Sequence, residues 1–209
     1  PGERVLDMCA APGGKASQIA SGMENTGRLV CLETVRGRYY KLKAVLDLLG
    51  VTCARPLCMD ARRYRDNKSF DRVLVDAPCS SEGRFNIQDK KSFAYWSLRK
   101  VKEMSRKQKG LLLAAGRLVK KGGTVVYATC TFAPEENEGV VDWFLRKTKG
   151  EFSVEPVSPA GFRVCPALSA WGKKTFDPQV RLCVRVLPTD ETEAFFIAKI
   201  IKRPGRPRG

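Results

Sequence analysis

The chain has no histidine. This removes the commonest general base, the usual partner of a catalytic serine or cysteine, and the imidazole ligands of most zinc sites. Eight cysteines are present, at positions 9, 31, 53, 58, 79, 130, 165 and 183, but no two of them have Cys-x-x-Cys spacing. A tetrahedral thiolate centre is therefore not indicated, and no metal is expected. No apolar run reaches the roughly 18 residues of a membrane span, and no signal-peptide pattern is present. The expectation is a protein without a membrane partner, in a reducing compartment where thiols stay free: cytoplasmic, or nucleolar in a eukaryote. Acidic residues are also scarce, with 22 Asp and Glu against 38 Lys and Arg, a formal net charge of +16.

That imbalance favours a polyanionic partner, because basic side chains release condensed counterions from phosphates. Nucleic acid is the leading class. With 43% hydrophobic and 29% charged residues, the 209-residue chain has the composition of a globular enzyme-sized domain. We expect one monomeric domain over residues 1–201 and a frayed basic tail, rich in Pro and Gly, over 202–209.

Short apolar runs bounded by turn residues recur at Arg4–Cys9, Arg28–Glu33, Thr52–Cys58, Asp71–Asp76 and Thr124–Thr129, each with the length of a buried strand. Helical patterns alternate with them at Lys15–Met23, Gly37–Leu49, Ser97–Val119 and Glu135–Arg146. Such alternation predicts an α/β, doubly wound, mostly parallel sheet with right-handed crossovers. Pro134 before Glu135 and Glu136 suits a first helical turn, while Gly50 and Gly122-Gly123 suit helix carboxyl ends. Arg181–Leu187 and Ala194–Ile201 read as an antiparallel hairpin closing the sheet.

The segment Asp7-Met8-Cys9-Ala10-Ala11-Pro12-Gly13-Gly14-Lys15 joins the first strand to the first helix through small residues. Such residues let backbone amides approach a ligand at a helix amino terminus. It is not the dinucleotide fingerprint, since the Gly-x-Gly-x-x-Gly spacing is missing. With Glu33, Asp60 and Asp76, Asp7 puts four acids at the carboxyl ends of four consecutive strands, where open α/β sheets bind ligands. Taken singly, each acid could equally cap a helix or begin a turn.

The fourth strand runs into Asp76-Ala77-Pro78-Cys79-Ser80-Ser81-Glu82-Gly83, and the fifth into Tyr127-Ala128-Thr129-Cys130-Thr131, followed by Pro134-Glu135-Glu136-Asn137-Glu138. With the Asp7–Lys15 loop, these segments resemble the signature motifs of the RNA cytosine-5 methyltransferases of the Nop/Sun group, whose bacterial members modify ribosomal RNA. The likeness extends through Leu145, and more loosely through Arg185-Val186-Leu187-Pro188 and Phe195-Phe196. It implies a Rossmann-like S-adenosylmethionine-dependent fold and RNA as substrate, ribosomal before transfer RNA. By the same likeness the backbone of Cys9 to Lys15 surrounds the methionine portion of the cofactor, Glu33 and Arg38 lie at its ribose, and Asp60 lies near the adenine.

Cytosine carbon 5 is a poor nucleophile, so a thiolate must first add to carbon 6. The resemblance gives that attack to Cys130, contact with ring nitrogen N3 to Asp76, and assistance in releasing the product to Cys79. By analogy with the DNA enzymes the two cysteines would exchange roles. Without histidine, Lys15 and the cofactor's sulfonium are the expected sources of the potential that activates Cys130. Arg84, Phe85 and Asp89–Trp96 supply basic and aromatic groups suited to an extruded base, and Arg62-Arg63-Tyr64-Arg65 reads as a solvated loop. Family members carry sequence before the first strand that helps recognise RNA, and such a part is expected to be missing here. A small-molecule methyltransferase on the same scaffold, or a non-catalytic ribosome-assembly protein, are the competing readings.

Overall fold

A computed structural model describes residues 1–204 of the chain. In chain order its elements are β1 (Arg4–Asp7), α1 (Gly14–Gly22), β2 (Arg28–Glu33), α2 (Arg36–Leu48), β3 (Ala54–Cys58), β4 (Phe70–Asp76), α3 (Leu98–Leu118) and β5 (Val119–Thr129). They continue as α4 (Glu138–Lys147), β6 (Phe152–Glu155), β7 (Val164–Pro166), β8 (Ala170–Trp171), β9 (Lys174–Thr175), β10 (Val184–Val186) and β11 (Phe195–Lys202). The main sheet runs β3-β2-β1-β4-β5-β11-β10-β7, with β6 also pairing β11. β1 to β5 are mutually parallel, and β11 enters antiparallel against β5, closing the sheet with the anticipated hairpin. Among the described residues no helix is long and apolar enough to cross a membrane.

Alternation along the strands builds two cores. Leu6, Val30 and Leu32 join Phe70, Tyr127, Phe144 and Phe196 on one side of the sheet. Their neighbours Val5, Leu29 and Cys31 pack with Ala16, Ala20, Leu42 and Leu46 of α1 and α2 on the other. A sheet covered on both faces explains why its strands read as nearly continuous apolar runs. The chain order reverses between β1 and β4, so the loops after these two strands open a crevice at the carboxyl edge.

Several boundaries differ from expectation. α4 begins at Glu138, not Glu135, because Pro134 to Asn137 form a tight turn whose side chains are used elsewhere. Gly122 and Gly123 do not end a helix. They lie inside β5, where the register against β4 shifts and a side chain on Gly123 would strike the Asp71 carbonyl oxygen at 2.7 Å. The expected tail does not start at 202, since the Lys202 ammonium donates to the carbonyls of Gly116 and Val119. Its last residues, 205–209, lie outside the described residues. β6 to β9 were not legible, being two to four residues long.

The hairpin is tied to α4 by a buried fork. Arg185 Nε and Nη2 each donate to the Glu138 carboxylate at 2.7 Å, while Nη1 donates to the Phe132 carbonyl at 3.0 Å. Glu138 is fully buried. Removing one partner of such a pair strands a desolvated charge. Glu138→Gln should therefore lower the unfolding free energy by about 3 kcal/mol in urea titrations, and the paired change Glu138→Leu with Arg185→Met should recover most of that loss.

Candidate active site

The crevice is built first by the β1–α1 loop. Asp7 is almost wholly buried, with Oδ1 accepting from the Cys9 amide at 3.1 Å and Oδ2 left without a partner. Burial, reinforced by Asp76 and Glu33, pushes its carboxyl up to about 7 against the pull of that amide. Gly13 has φ +120, and a Cβ there would press on the Val45 side chain at 3.0 Å, so the turn both needs glycine and packs against α2. α1 starts without a side-chain cap, which leaves its first amides for another partner.

The Glu33 carboxylate accepts from the Val35 amide at 2.8 Å and lies 3.4 Å from Arg38, whose guanidinium also donates to the Ala11 carbonyl at 2.7 Å. Arg38 thus fastens the acid at the end of β2 to the Ala10–Gly14 loop. Asp60 behaves as a turn residue, accepting from the Arg62 amide at 2.9 Å and pairing with its guanidinium at 2.6 Å, which holds the Asp60 carboxyl below its ordinary value. Cys9 is driven to high pKa by burial and the surrounding carboxylates, so it offers no thiolate.

On the far side of the crevice the loops after β4 and β5 converge. Asp76 pairs with Lys15 at 2.9 Å, and Lys15 also sits 5.2 Å over the Phe195 ring. Cys79 and Cys130 place their sulfurs 3.2 Å apart, and Ser81 Oγ lies 3.9 Å and 3.8 Å from them respectively. The two thiols are unequal. Cys130 is lowered to about 7 by its hydrogen bond with Cys79, then by Ser81 and Arg84, against the cost of burial. Cys79 is raised, first by that same bond and then by burial, which makes it the proton donor of the pair. Arg84, itself paired with Glu193, adds to the lowering of Cys130, while Lys15, one of the two sources expected from sequence, pairs with Asp76.

Residues that sequence reasoning missed hold this pair in place. The Glu136 carboxylate accepts from the Ser80 amide at 3.1 Å and from Gln108 Nε2 at 2.7 Å, while Gln108 Nε2 also donates to the Pro78 carbonyl at 2.9 Å. Asn137 accepts from Thr129 Oγ1 at 2.5 Å and donates to the Thr131 carbonyl at 2.9 Å. Ser80 and Thr131 join the two loops directly at 2.7 Å. The readable signal was Gln108, a polar residue on the apolar face of α3 between Met104 and Leu112. Gly83 allows the closest approach, since a side chain there would meet the Ala194 and Cys130 carbonyl oxygens at 2.8 and 3.0 Å.

The basic and aromatic segment after Cys79 borders the site. Arg84 pairs with Glu193 at 2.9 Å, Phe85 and Phe93 pack at 5.9 Å, and Trp96 Nε1 donates to Glu82 at 2.7 Å. Tyr95 is almost fully exposed. In the Arg62–Arg65 cluster Tyr64 is buried and donates to Asp66, so its aromatic group serves packing.

Two outcomes follow from these titrations. Iodoacetamide should modify Cys130 with a half-maximal rate near pH 7 and leave Cys79 untouched below pH 9, as peptide mass mapping would show; Cys79→Ala should move the Cys130 midpoint upward. For Asp7 the folded protein binds the proton more tightly than the unfolded chain, so stability falls as pH rises from about 4 to 7. Asp7→Asn should flatten that slope and raise the melting temperature at pH 8 more than at pH 5.

Comparison with known proteins places this arrangement. The family described as 16S rRNA methyltransferase RsmB/F matches residues 1–201. A tRNA (cytosine(49)-C(5))-methyltransferase of Pyrococcus abyssi is 41% identical over 97% of the chain and 64% of its own length. Ribosomal RNA small subunit methyltransferase F of Vibrio cholerae is 36% identical over 98% of the chain and 42% of its own length. The solved structure of NSun6 from Pyrococcus horikoshii with SFG, an S-adenosylmethionine analogue, superposes with a TM-score of 0.81 at 30% identity, covering 97% of this chain and 48% of that one. The chain thus spans between about two fifths and two thirds of these relatives. On the strength of these matches and the fold beneath them, it belongs to the RsmB/F family of RNA methyltransferases.

Proposed function

We propose that the chain transfers a methyl group from S-adenosylmethionine to carbon 5 of cytosine in RNA, with residues 1–201 as the catalytic unit. The observation that carries this reading is the pair of thiols 3.2 Å apart, with Cys130 below and Cys79 above the ordinary thiol value. A single nucleophile would not require a second thiol in contact with it. The crevice suits the cofactor: an uncapped helix start for a carboxylate, an orphaned buried Asp7 oxygen, and Glu33 held by Arg38 at the position that meets ribose hydroxyls in such sheets. When bound, the cofactor supplies an electrophilic methyl group.

The remaining chemistry falls to side chains. The Cys130 thiolate adds to carbon 6, forming a carbon–sulfur bond and moving the ring's π electrons to carbon 5, which takes the methyl as the bond from that methyl to the cofactor's sulfur breaks and leaves its electron pair on the sulfur. Asp76, kept in place by Lys15, contacts ring nitrogen N3 and orients the base. The carbon 5 proton then passes to solvent, its bonding pair re-forms the carbon 5–carbon 6 double bond, the carbon–sulfur bond breaks, and the thiolate is restored. Cys79 assists that last stage. The family description favours ribosomal RNA as substrate, and the 41% identical relative favours transfer RNA.

Incubation with labelled cofactor and separated ribosomal and transfer RNA fractions should place the label in 5-methylcytosine on digestion to nucleosides. Label in protein or DNA, or failure of the folded protein to bind the cofactor in calorimetry, would refute the reading. RNA carrying a mechanism-based cytosine analogue should remain covalently attached to the Cys79→Ala variant and not to Cys130→Ala. The opposite pattern would exchange the two roles.

A further inference from the structure

α3 carries a second set of side chains that the chemistry above does not use. Lys102, Arg106 and Lys109 follow one another at intervals of four and three residues, so they share one face of the helix. Across a cleft of about 330 Å³ they meet Trp171 and Lys174, on the β8–β9 hairpin, over a floor of Pro134, Gly139 and Phe176. Four cations line the cleft against one carboxylate, Glu135, and that acid is engaged by Trp171 Nε1 at 3.1 Å. Lys174 is paired with Asp142, but Lys102, Arg106 and Lys109 form no ion pair among the described residues. Lys109 is held below its ordinary pKa by partial burial, then by the nearby charges of Lys174 and Arg106. An anion in the cleft would relieve that crowding.

The position of the cleft ties it to the two cysteines. Glu135 stands five residues after Cys130, and its carbonyl accepts from Ser105 on the same helix at 2.7 Å. Three residues further along α3, Gln108 reaches the Pro78 carbonyl beside Cys79. From Lys102 to Lys109 the helix rises about 10 Å, longer than a single phosphate needs. Trp171 leaves half its surface exposed at the wall, which offers a stacking surface for a base.

We propose that this cleft binds the phosphate backbone of the single-stranded RNA flanking the target cytosine, with one base resting on Trp171. The proposal rests on the RNA reading of the site and adds where the strand runs. Charge alone would also suit an acidic polypeptide; the half-exposed tryptophan at the wall favours RNA.

The test is fluorescence anisotropy of the full chain with a labelled single-stranded RNA oligonucleotide over a series of salt concentrations. Arg106→Glu with Lys109→Glu should weaken binding at least tenfold at low salt. It should also reduce the slope of log affinity against log salt by about 0.7 for each phosphate that is no longer neutralised. Trp171→Ala should cost roughly 5- to 150-fold with little change in slope, matching about 1–3 kcal/mol for a stacked base. Unchanged cofactor binding and melting temperature show that the variants fold, and Lys102→Gln repeats the slope test with a milder change.

Affinities and slopes equal to the parent chain's would overturn the cleft while leaving methyl transfer to RNA standing. Loss of RNA binding in the variants, with no label transferred to RNA by the parent chain, would support the cleft and sink the catalytic reading. Polyglutamate that binds more tightly than RNA, and is lost with the same variants, would overturn RNA as the occupant.

Discussion

Two loops that leave different strands must bring two sulfurs into contact, and the buried carboxylate of Glu136 lets them do so. The peptide groups around Cys79 and Cys130 belong to neither helix nor sheet, so their donors and acceptors need partners before they can be held out of water. Glu136 and Gln108 supply these for the Cys79 loop, and Asn137 for the Thr131 carbonyl just after Cys130. The Tyr127 hydroxyl donates to the Glu136 carbonyl at 2.5 Å, which fixes the turn to the sheet itself. Together with the direct Ser80–Thr131 bond, this staple holds the sulfurs 3.2 Å apart, the separation on which their pKa asymmetry depends.

The turn from Pro134 to Glu138 spends three consecutive polar side chains on three different tasks. Glu136 and Asn137 face the two cysteine loops, while Glu138 holds the hairpin through Arg185. All three are fully buried. Glu136 keeps one buried carboxylate oxygen without a partner, and burial raises its pKa, so the turn holds a costly polar group in place and is intolerant of substitution. One site therefore couples the cysteine pair to the antiparallel edge of the sheet, and Gly83 closes the same junction from the other side.

Strands β1 to β5 and the parallel order were legible because alternating packing on two faces leaves an apolar signature in each run. Of the candidate site, the cysteines, Asp76 and the small-residue loop could be placed at strand ends, and the resemblance to the family's motifs picks them out there. The staple could not be read, because a proline followed by acids is also the signature of a helix start, and only tertiary contacts distinguish the two. Gly122 and Gly123 misled for a similar reason, since glycine serves a register shift as well as a helix end. A cation acting on Cys130 differs from the lysine the sequence suggests. Lys15 belongs to the small-residue loop and is drawn to Asp76, whereas the charge of Arg84, on the chain after β4, helps to lower the thiol.

The lack of histidine acquires another meaning once the protonation states are in view. The surface charge of this molecule resides on lysines and arginines, which keep their protons across the neutral range, so its attraction for a polyanion is almost constant there. Two groups moved to about 7, Asp7 and Cys130, both lie in the crevice. A change in acidity near neutrality is therefore felt in the crevice and hardly at all by the surrounding field. The molecule thus confines its sensitivity to acidity near neutrality to the crevice and keeps the field of its surface apart from it.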